Sequence, residues 1–386
     1  MSNVNDAVLT PVPVADAPLV DVLVIGAGVV GLSIALELQL QGRQVAVLER
    51  EAIAAGASRG NAGALAYADV LPLASPRILR QLPRWLLDPL GPLSLPPAHL
   101  PSLLPWLWQF WRASRPAQVA ASTVAQAALM QRAGPATLRL LQAAGATHLL
   151  REGGNLHLYD SESSWRASLP GWTVRQAHGI DFDHLSSAAD LARWQPGLAP
   201  SLAFGTFVPG WQTLHDPLDW VHHLARAVAG RGGILWQGHA AGLRPGDSSV
   251  AVRIEEGATV QARHVVVAAG AWSATLTASL GQRLPLDTER GYNTTLPPGA
   301  FDLHRQLTFV DHGFVVTPIG GGVHCLVLQP HAGDLHAQPV AQHLVMIAGD
   351  VGDLGAFARL AQDQPQHLVM RGVPIPGLAQ PPAIDD

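Results

Sequence analysis

The feature that most constrains the fold is a glycine-rich turn near the start of the chain. Residues 20–50 read VDVLVIGAGVVGLSIALELQLQGRQVAVLER. The apolar run before Gly26 predicts a buried strand over about 20–25. The segment after Gly28 has the periodicity of a helix that ends at Gly42, and a second apolar run predicts another strand. These elements make a βαβ unit, which implies a parallel sheet.

The glycine spacing in this turn is that of a phosphate-binding loop. Gly26, Ala27, Gly28 and Gly31 belong to the pattern G-x-G-x-x-G, and Glu49 ends the next predicted strand. Gly26 permits a tight turn, Gly28 lets an anion approach the helix N-terminus, and Gly31 lets helix and strand pack closely. A carboxylate at Glu49 can accept both hydroxyls of a ribose. The pattern predicts a bound dinucleotide, with an ordinary glycine-rich turn as the alternative.

The glycine pattern alone leaves the choice between NAD and FAD open, and the next segment favours FAD. Residues 51–65 read EAIAAGASRGNAGAL, a stretch of small and polar residues. A loop of this composition can bring backbone N–H groups to a second phosphate and then to a flat ring.

The rest of the chain predicts helices mixed with short strands. A Pro/Ala/Asp-rich tail over 1–18 is expected to be disordered, and 118–146 is expected to be a long helix. Gly153 and Gly154 predict the turn of a hairpin. Asp216 and Pro217 predict the N-cap and first residue of another helix. Short strands follow, and the last one ends in AAG at residue 270.

Composition excludes several classes of chemistry. The 24 basic residues are all arginine, so neither a Schiff-base lysine nor a P-loop lysine is possible. A single cysteine excludes an intrachain disulfide and a cysteine-rich metal site, and the histidine spacing predicts no metal site. The net charge of −5 gives no electrostatic footprint for nucleic acid.

A segment rich in Leu, Pro and Trp over 70–116 has two interpretations. The simpler one is a set of short packed helices broken by proline. The other is an apolar surface that contacts a membrane or a partner. The sequence shows no signal peptide and no run that predicts a transmembrane helix, so we expect a cytoplasmic protein with possible peripheral contact on the inner face of the plasma membrane.

Several motifs together resemble the D-amino acid dehydrogenase branch of the FAD-dependent amine and amino acid oxidoreductases, a family that includes the D-amino acid oxidases. The fingerprint of residues 20–50 is followed by SRGNAG, HDPLDWVHHLARAVAGRGG, HVVVAAGAWS, LDTERGYN and GFVVTPIGGG, in the order of that family. The resemblance covers about 20–323. Its glycine motifs occur in many flavoproteins, whereas the SRGNAG and ERGY motifs are more specific to this family.

The resemblance implies an α/β fold in which a Rossmann-type FAD-binding domain, with a central parallel sheet, is interleaved with an α+β substrate domain built on an antiparallel sheet. The FAD-binding domain would comprise 19–75 and 216–280, and the substrate domain 76–215 and 281–323. FAD would be the cofactor. The implied cofactor-binding residues are Gly26, Ala27, Gly28, Gly31, Glu49, Arg50, Ser58, Asn61, Ala62, Gly63, Ala240, Ala269 and Gly270.

On the substrate side, the resemblance implies roles for Arg290 and Tyr292 as catalytic residues. Arg290 is the candidate for clamping a substrate carboxylate, because a guanidinium matches a carboxylate geometrically. Both residues could instead be ordinary strand residues with a solvated head. Asn61 likewise has the alternative of a simple helix cap.

The implied reaction is oxidative deamination of D-amino acids, in which the Cα hydride passes to the flavin and a 2-oxo acid and ammonia result. The partners would be an amino acid or amine substrate and an electron acceptor, either a quinone or oxygen. Two alternatives stay open. One is a related glycine or sarcosine-type amine oxidase, and the other is an inactive, truncated flavoprotein-like chain.

The resemblance is expected to fail over 324–386. This segment contains no Trp, Tyr or Glu, although the chain has 11 Trp in all. A frameshift near 323–328 and a divergent C-terminus both explain the change, and the first is favoured.

Overall fold

The computed structural model describes residues 7–13, 19–76, 100–255, 257–286, 292–296 and 299–327. The strands in this part of the chain are β1 (Thr10–Pro11), β2 (Val20–Ile25), β3 (Val45–Glu49), β4 (Ala64–Leu65), β5 (Leu150–Arg151), β6 (Asn155–Tyr159), β7 (Asp183–Leu185), β8 (Phe204–Val208), β9 (Gln212–Leu214), β10 (Ile234–Gln237), β11 (Ala240–Pro245), β12 (Val250–Ile254), β13 (Thr259–Val267), β14 (Tyr292–Leu296), β15 (Gln306–Phe309), β16 (Phe314–Ile319) and β17 (Gly322–Val327).

The α-helices are α1 (Val29–Leu40), α2 (Leu100–Ala113), α3 (Pro116–Ala143), α4 (Glu162–Ala177), α5 (Ala188–Trp194), α6 (Pro217–Gly230) and α7 (Ser273–Ala278). Short 3₁₀ helices span Thr147–Leu149 and Gly270–Trp272. The predicted cap of α6 is confirmed, because Asp216 accepts a hydrogen bond from the Leu218 backbone N–H and Pro217 opens the helix.

The first sheet has the strand order β1-β10-β3-β2-β13-β12-β11. It is parallel from β1 to β13, and the βαβ unit predicted from the glycine turn is its centre. Strands β12 and β11 continue it as an antiparallel hairpin. Its strands come from two separate stretches of the chain, 10–49 and 234–267, as a discontinuous nucleotide-binding domain requires. The domain boundaries given above stay a prediction.

The second sheet has the order β14-β17-β16-β15-β6-β8-β7 and is antiparallel except where β6 and β15 pair. A small third sheet joins β4, β9 and β5. The hairpin predicted at Gly153 and Gly154 is wrong. Strand β5 pairs with β9, whereas β6 pairs with β8 and β15, so the chain passes from one sheet to another at these glycines.

The N-terminal segment also differs from the sequence expectation. A disordered tail is predicted over 1–18, but β1 pairs in parallel with β10. The pairing had no local signal, because a two-residue strand at a sheet edge carries no periodicity.

Apolar cores lie on both faces of the first sheet. On one face, Leu32 and Leu36 of α1 pack with Leu224 and Val228 of α6. On the other face, residues such as Leu23, Trp236 and Val252 are buried beneath α7. The second sheet has one apolar face, which includes Leu156, Leu307 and Val316. On β6 and β15 the residues next to these are polar, namely Asn155, His157, Gln306 and Thr308, and Thr317 follows Val316 on β16, so the other face of the sheet carries polar groups.

Candidate functional site

The turn between β2 and α1 accepts only glycine at two positions. Gly26 has a φ of +113°, and a Cβ there would overlap the carbonyl oxygen of Ala268. A Cβ at Gly31 would overlap the carbonyl oxygen of Gly26. The tight turn and the close helix–strand packing predicted from the sequence are therefore both present, and the end of β13 presses against the turn.

The N-terminus of α1 meets the hydroxyl of a distant serine. Gly28 is the N-cap residue and offers no side chain, and the Val29 N–H donates to Ser58 Oγ at 2.9 Å. A Cβ at Gly28 would lie 3.1 Å from the same oxygen. Ser58 thus stands where free N–H groups and the helix dipole favour a negatively charged ligand.

The carboxylate of Glu49 lies at the carboxyl end of β3 and turns towards the same loop. One oxygen, Oε2, accepts a hydrogen bond from the Ala27 N–H at 2.7 Å, and Oε1 accepts one from the Glu51 N–H at 3.1 Å. A carboxylate oxygen has two lone pairs, so both oxygens can still accept from ribose hydroxyls.

Arg50, Ala269 and Gly270 lie around this end of the sheet. The Arg50 guanidinium stacks on the Trp272 ring at 3.7 Å from its centroid and pairs with the Glu51 carboxylate at 3.1 Å. Gly270 has a φ of +55° and opens the 3₁₀ helix that carries Trp272. The segment that follows β13 therefore contacts two parts of the site. Ala268 and Ala269 lie against Gly26, and Trp272 lies against Arg50.

Ala240 begins β11, just beyond the carboxyl end of β10. It is buried and pairs in register with Ile254. The chain between β10 and β11 is tied to β3, since the Gly238 N–H donates to the Glu49 carbonyl oxygen at 2.9 Å. Ala240 therefore follows, two residues later, the residue that pairs with the Glu49 backbone.

The loop from Ser58 to Gly63, called the SRGNAG loop from here on, is folded by its own asparagine. Asn61 donates to the Ser58 carbonyl oxygen at 2.9 Å and accepts from the Gly63 N–H at 2.8 Å. Asn61 therefore shapes the loop and does not cap a helix. Ala62 is buried, and Gly63 has a φ of +62° and accepts a hydrogen bond from the Leu214 N–H at its carbonyl oxygen.

The same loop touches the second sheet. The Asn293 side-chain amide donates to the Gly60 carbonyl oxygen at 3.1 Å, and a Cβ on Gly63 would lie 3.7 Å from Ile319 Cδ1. Asn293 belongs to β14, which starts at Tyr292. The backbone of the predicted substrate strand thus runs beside the SRGNAG loop. Arg290 lies outside the described residues, as does the side chain of Tyr292.

A row of polar residues crosses the second sheet and was missed by sequence reasoning. Asn155 donates to Gln306 Oε1 at 2.8 Å, and Gln306 donates to Thr317 Oγ1 at 2.8 Å. Next in register come His324 and Thr295, whose Nδ1 and Oγ1 are 2.9 Å apart. Asn155, Gln306 and Thr317 are almost wholly buried. This set is called the polar row below.

The polar row ends close to the SRGNAG loop. Burial lowers the pKa of His324, while the Gly60 carbonyl and the Asp216 carboxylate act in the opposite direction. Both of these neighbours belong to the predicted cofactor side of the site. The sequence signal was present in β6 and β15, where polar residues alternate with apolar ones, but alternation alone does not distinguish a solvated face from a buried one.

The glycine turn, the serine at the helix N-terminus and the carboxylate at the next strand end have the arrangement expected of a dinucleotide-binding site of the Rossmann class. A Cβ could not be added at Gly26 or Gly31 without moving backbone atoms, so the turn keeps the tight form that this class of site requires. The N-terminus of α1, whose N-cap Gly28 has no side chain, fits the pyrophosphate of such a cofactor. Among the described residues, no group of three His, Cys, Asp or Glu side chains is arranged to hold a metal ion.

The chain belongs to the family described as FAD dependent oxidoreductase (DAO), which it matches over residues 21–359. The cofactor of this family is FAD, as the sequence predicts. The match extends beyond residue 323, where the resemblance was expected to end.

Two relatives have names that specify D-amino acids as substrates. The chain is 34% identical over 284 residues to the D-amino-acid oxidase of Bradyrhizobium diazoefficiens, an overlap of 71% of this chain and 66% of the relative. It is 30% identical over 289 residues to a D-amino acid dehydrogenase of Cereibacter sphaeroides, which covers 72% of this chain and 64% of that protein. The matched region therefore spans slightly less than two thirds of these relatives.

Solved structures show the same fold. Glycine oxidase from Geobacillus kaustophilus superposes with a TM-score of 0.62 at 21% identity, over 87% of this chain and 79% of that one. An iminodiacetate oxidase from Chelativorans superposes with a TM-score of 0.58 at 19% identity, over 85% of this chain and 78% of that one.

Proposed function

We propose that this protein catalyses FAD-dependent oxidative deamination of D-amino acids. The observation that carries the proposal is the hydrogen bond from Asn293 to the Gly60 carbonyl oxygen. It ties the strand of the ERGY motif to the SRGNAG loop, so a substrate held by that strand would lie next to a flavin ring held by the loop. The names of the relatives support the choice of D-amino acids.

The residues that would hold FAD divide between its two halves. Glu49 would accept the adenosine ribose hydroxyls, with Arg50 beside it and the backbone of Ala240 near the adenine. The N-terminus of α1, with Gly26, Ala27, Gly28 and Gly31, would receive the pyrophosphate together with Ser58, Ala269 and Gly270. Asn61, Ala62 and Gly63 would line the flavin ring. When bound, the flavin supplies a two-electron acceptor for a hydride.

The contribution of the protein to the reaction is to hold the substrate in position against the flavin. Arg290 would clamp the substrate carboxylate and Tyr292 would lie beside it, which fixes the Cα over the cofactor. The substrate loses a hydride from Cα and a proton from its amino group, which leaves an imine. Water adds to the imine and ammonia leaves, giving the 2-oxo acid. The two electrons pass on to oxygen or to a quinone.

Anaerobic addition of D-amino acids to the purified yellow protein tests this proposal. We expect the flavin absorbance to bleach with a D-amino acid and to persist with its L-enantiomer. Arg290→Ala should weaken apparent substrate binding while Arg283→Ala, an exposed arginine in the described region, should leave it unchanged. Absence of bleaching by every D-amino acid tried would contradict the proposal.

Oxidation of glycine or sarcosine on the same scaffold is a second candidate, favoured by the fold shared with glycine oxidase. The same bleaching experiment separates the two. If the second candidate is right, glycine and sarcosine will bleach the flavin faster than D-alanine does. Reoxidation by air or only by an added quinone analogue identifies the electron acceptor.

The C-terminal prediction has a genetic test. If a frameshift near 323–328 produces the sequence of 324–386, the chain is the inactive, truncated flavoprotein-like alternative to the activity proposed above. The family match to residue 359 argues against it. In a frameshifted chain, adding one or two nucleotides near codon 325 should restore a sequence that continues the family pattern and raises activity. If neither frame does so, the C-terminus is divergent and the frameshift explanation fails.

We further propose peripheral membrane contact through α2. No helix in the described part of the chain is both long and apolar enough to cross a bilayer. However, Leu104, Trp106 and Trp108 are each more than half exposed on α2, and Arg115 stacks on exposed Trp111. Indole rings and cations of this kind favour the headgroup region of a membrane.

Vesicle flotation tests the membrane proposal. The protein should float with vesicles that contain anionic phospholipid, and the double variant Trp106→Ser, Trp108→Ser should lose most of this binding. Leu286→Ser removes a similarly exposed apolar residue elsewhere and serves as the control. Equal flotation of all three proteins would rule out α2 as the contact.

A further inference from the structure

We propose that the N-terminal segment, residues 7–13, forms a wall of the adenosine end of the FAD site. These residues precede the family match, which begins at residue 21. The contact between residues 7–13 and the cofactor would therefore come from a segment that lies outside the region matched by the family. The inference rests on the FAD cofactor and not on the identity of the amino acid substrate.

The segment is attached firmly to the first sheet. Strand β1 pairs in parallel with β10, with Thr10 opposite Trp236 and Pro11 opposite Gln237. The Val12 N–H donates to the Gln237 carbonyl oxygen at 3.3 Å, and Thr10 Oγ1 donates to the Leu235 carbonyl oxygen at 3.2 Å. The attachment gives the segment a defined position beside the strand ends.

Apolar packing holds the segment on both faces of the sheet. Val12 is only 8% exposed and belongs to the core beneath α7. Leu9 and Ala7 pack against the opposite core, beside α1 and α6. A segment anchored on both faces can support a neighbouring cavity in the absence of ligand.

A cavity of about 320 Å³ opens between this segment and the β11–β12 hairpin. Its volume lies at the lower end of the range for small-molecule sites. Pro11 and Gln237 line it at the carboxyl ends of β1 and β10, and Arg50 lines it just beyond the end of β3. Ligands of parallel α/β sheets bind outside the carboxyl ends of the strands. Glu49, the proposed ribose acceptor, is opposite Gln237 in register.

The lining suits a flat aromatic ring with a polar edge. Pro11, Val12, Ile254 and Ala258 supply apolar surface. Arg50 and the Gln237 amide supply hydrogen-bonding groups, and Arg50 is already stacked on Trp272. An adenine ring has two apolar faces and a nitrogen-rich edge, so its chemistry matches these walls.

The competing explanation is that β1 only covers the edge of the first sheet. An exposed edge strand is a liability, and a short added strand protects it. In that case removal of the segment would lower the stability of the apoprotein and leave the affinity for FAD unchanged.

Two measurements on purified apoprotein separate these explanations: the dissociation constant for FAD, from quenching of flavin fluorescence, and the free energy of unfolding in urea. Deletion of residues 1–13 should raise the dissociation constant about tenfold, which corresponds to about 1.4 kcal/mol. Deletion of residues 1–6 only is the matched control and should leave it unchanged.

A second variant keeps the test valid if the longer deletion does not fold. Ala258→Phe fills the cavity from the wall opposite the N-terminal segment, leaves the residues of that segment unchanged and should weaken FAD binding by a similar factor, whereas Ala229→Phe, at an exposed site in α6, should not. Val12→Ala keeps the backbone pairing but removes the wall, and it should weaken binding by a smaller factor. Unchanged FAD affinity in Ala258→Phe and Val12→Ala would overturn the proposal, whatever happens to stability.

Discussion

The first and second sheets differ in how their buried polar contacts are made. In the first sheet, several contacts of the glycine turn involve the backbone and join residues within 22 positions of each other, such as Gly31 against Gly26 and Glu49 with the Ala27 N–H, although Gly26 also meets the distant Ala268 carbonyl. In the second sheet, the polar row joins side chains from distant strands, and Asn155 and Gln306 are 151 residues apart. Local sequence therefore specifies the cofactor end of the molecule more fully than the substrate end.

The comparison also explains which glycines are irreplaceable. A glycine in the first sheet's turn is required because another backbone group occupies the place of its Cβ. Gly322 in the second sheet has the same constraint from the Leu296 carbonyl oxygen. In the polar row the constraint is instead hydrogen-bond satisfaction, because a buried amide without a partner is destabilising. Substitutions that remove one constraint at a time should therefore differ in their effects on the free energy of unfolding and on FAD affinity.

The largest effect is expected from Gly31→Ala. The added Cβ overlaps the Gly26 carbonyl oxygen, so backbone atoms must move, and we expect a loss of about 3 kcal/mol in the free energy of unfolding together with loss of FAD binding. Urea unfolding and flavin fluorescence measure the two losses. Gly56→Ala is the matched control, since a Cβ there meets no described atom within 4 Å. Similar behaviour of both variants would contradict the role given to close packing.

Next in size should be a break in the polar row, made with Gln306→Leu. The side chain volume is nearly kept, but Thr317 Oγ1 loses its donor and Asn155 loses one acceptor, so we expect a loss of about 2 kcal/mol. Gln261→Leu, at an exposed position of β13, should change stability by less than about 0.5 kcal/mol. FAD affinity should fall much less in Gln306→Leu than in Gly31→Ala. Equal loss in both would erase the distinction between the sheets.

The same distinction accounts for what could be predicted from sequence. The βαβ unit, the cap at Asp216 and the strands of the β11–β13 region follow from local patterns, and the structure confirms them. The hairpin at Gly153 and Gly154 was wrong because a turn signal does not specify which strands pair afterwards. The parallel pairing of β1 had no signal at all.

The candidate site shows the same limit. Residues of the glycine turn could be assigned from spacing, because the phosphate-binding chemistry depends on that spacing. Asn293 and His324 could not, because their importance comes from contact with Gly60, which no sequence pattern near them records. Arg290, assigned from the resemblance, stays a prediction.

Between pH 7.5 and 5.5, a pH-dependent effect on stability is expected from a histidine of the second sheet. Asp21 of the first sheet, whose pKa the hydrogen bond from Arg43 lowers to about 2, titrates at lower pH. His157 packs edge-on against Trp172 and Trp211, and burial lowers its pKa to about 3 from an ordinary 6.5. Below pH 6.5, His157 binds a proton in the unfolded chain but stays neutral in the folded chain. The contribution of His157 to the free energy of unfolding is therefore complete above pH 6.5 and is lost as the pH falls towards 3. The expected slope is about 1 kcal/mol per pH unit.

His157→Phe should reduce this slope when the free energy of unfolding is compared at pH 7.5 and pH 5.5. His264→Phe replaces an exposed histidine of β13 and should keep the slope of the original chain. If both variants have the same slope, His157 does not account for the acid sensitivity of the second sheet.

The smallest effect on stability is expected from Ser58→Ala, and it bears most directly on the cofactor end. The variant removes the acceptor for the Val29 N–H at the start of α1, which should lower the free energy of unfolding by about 1 kcal/mol. Ser161→Ala removes an equivalent cap from α4, where Ser161 Oγ accepts from the Ser164 N–H, so its stability loss should be similar. Only Ser58→Ala should also weaken FAD binding, since only Ser58 stands at the helix end that would receive the pyrophosphate. Urea unfolding gives the matched stability losses and flavin fluorescence gives the difference; if FAD affinity falls equally in both variants, the hydroxyl of Ser58 acts through helix stability alone.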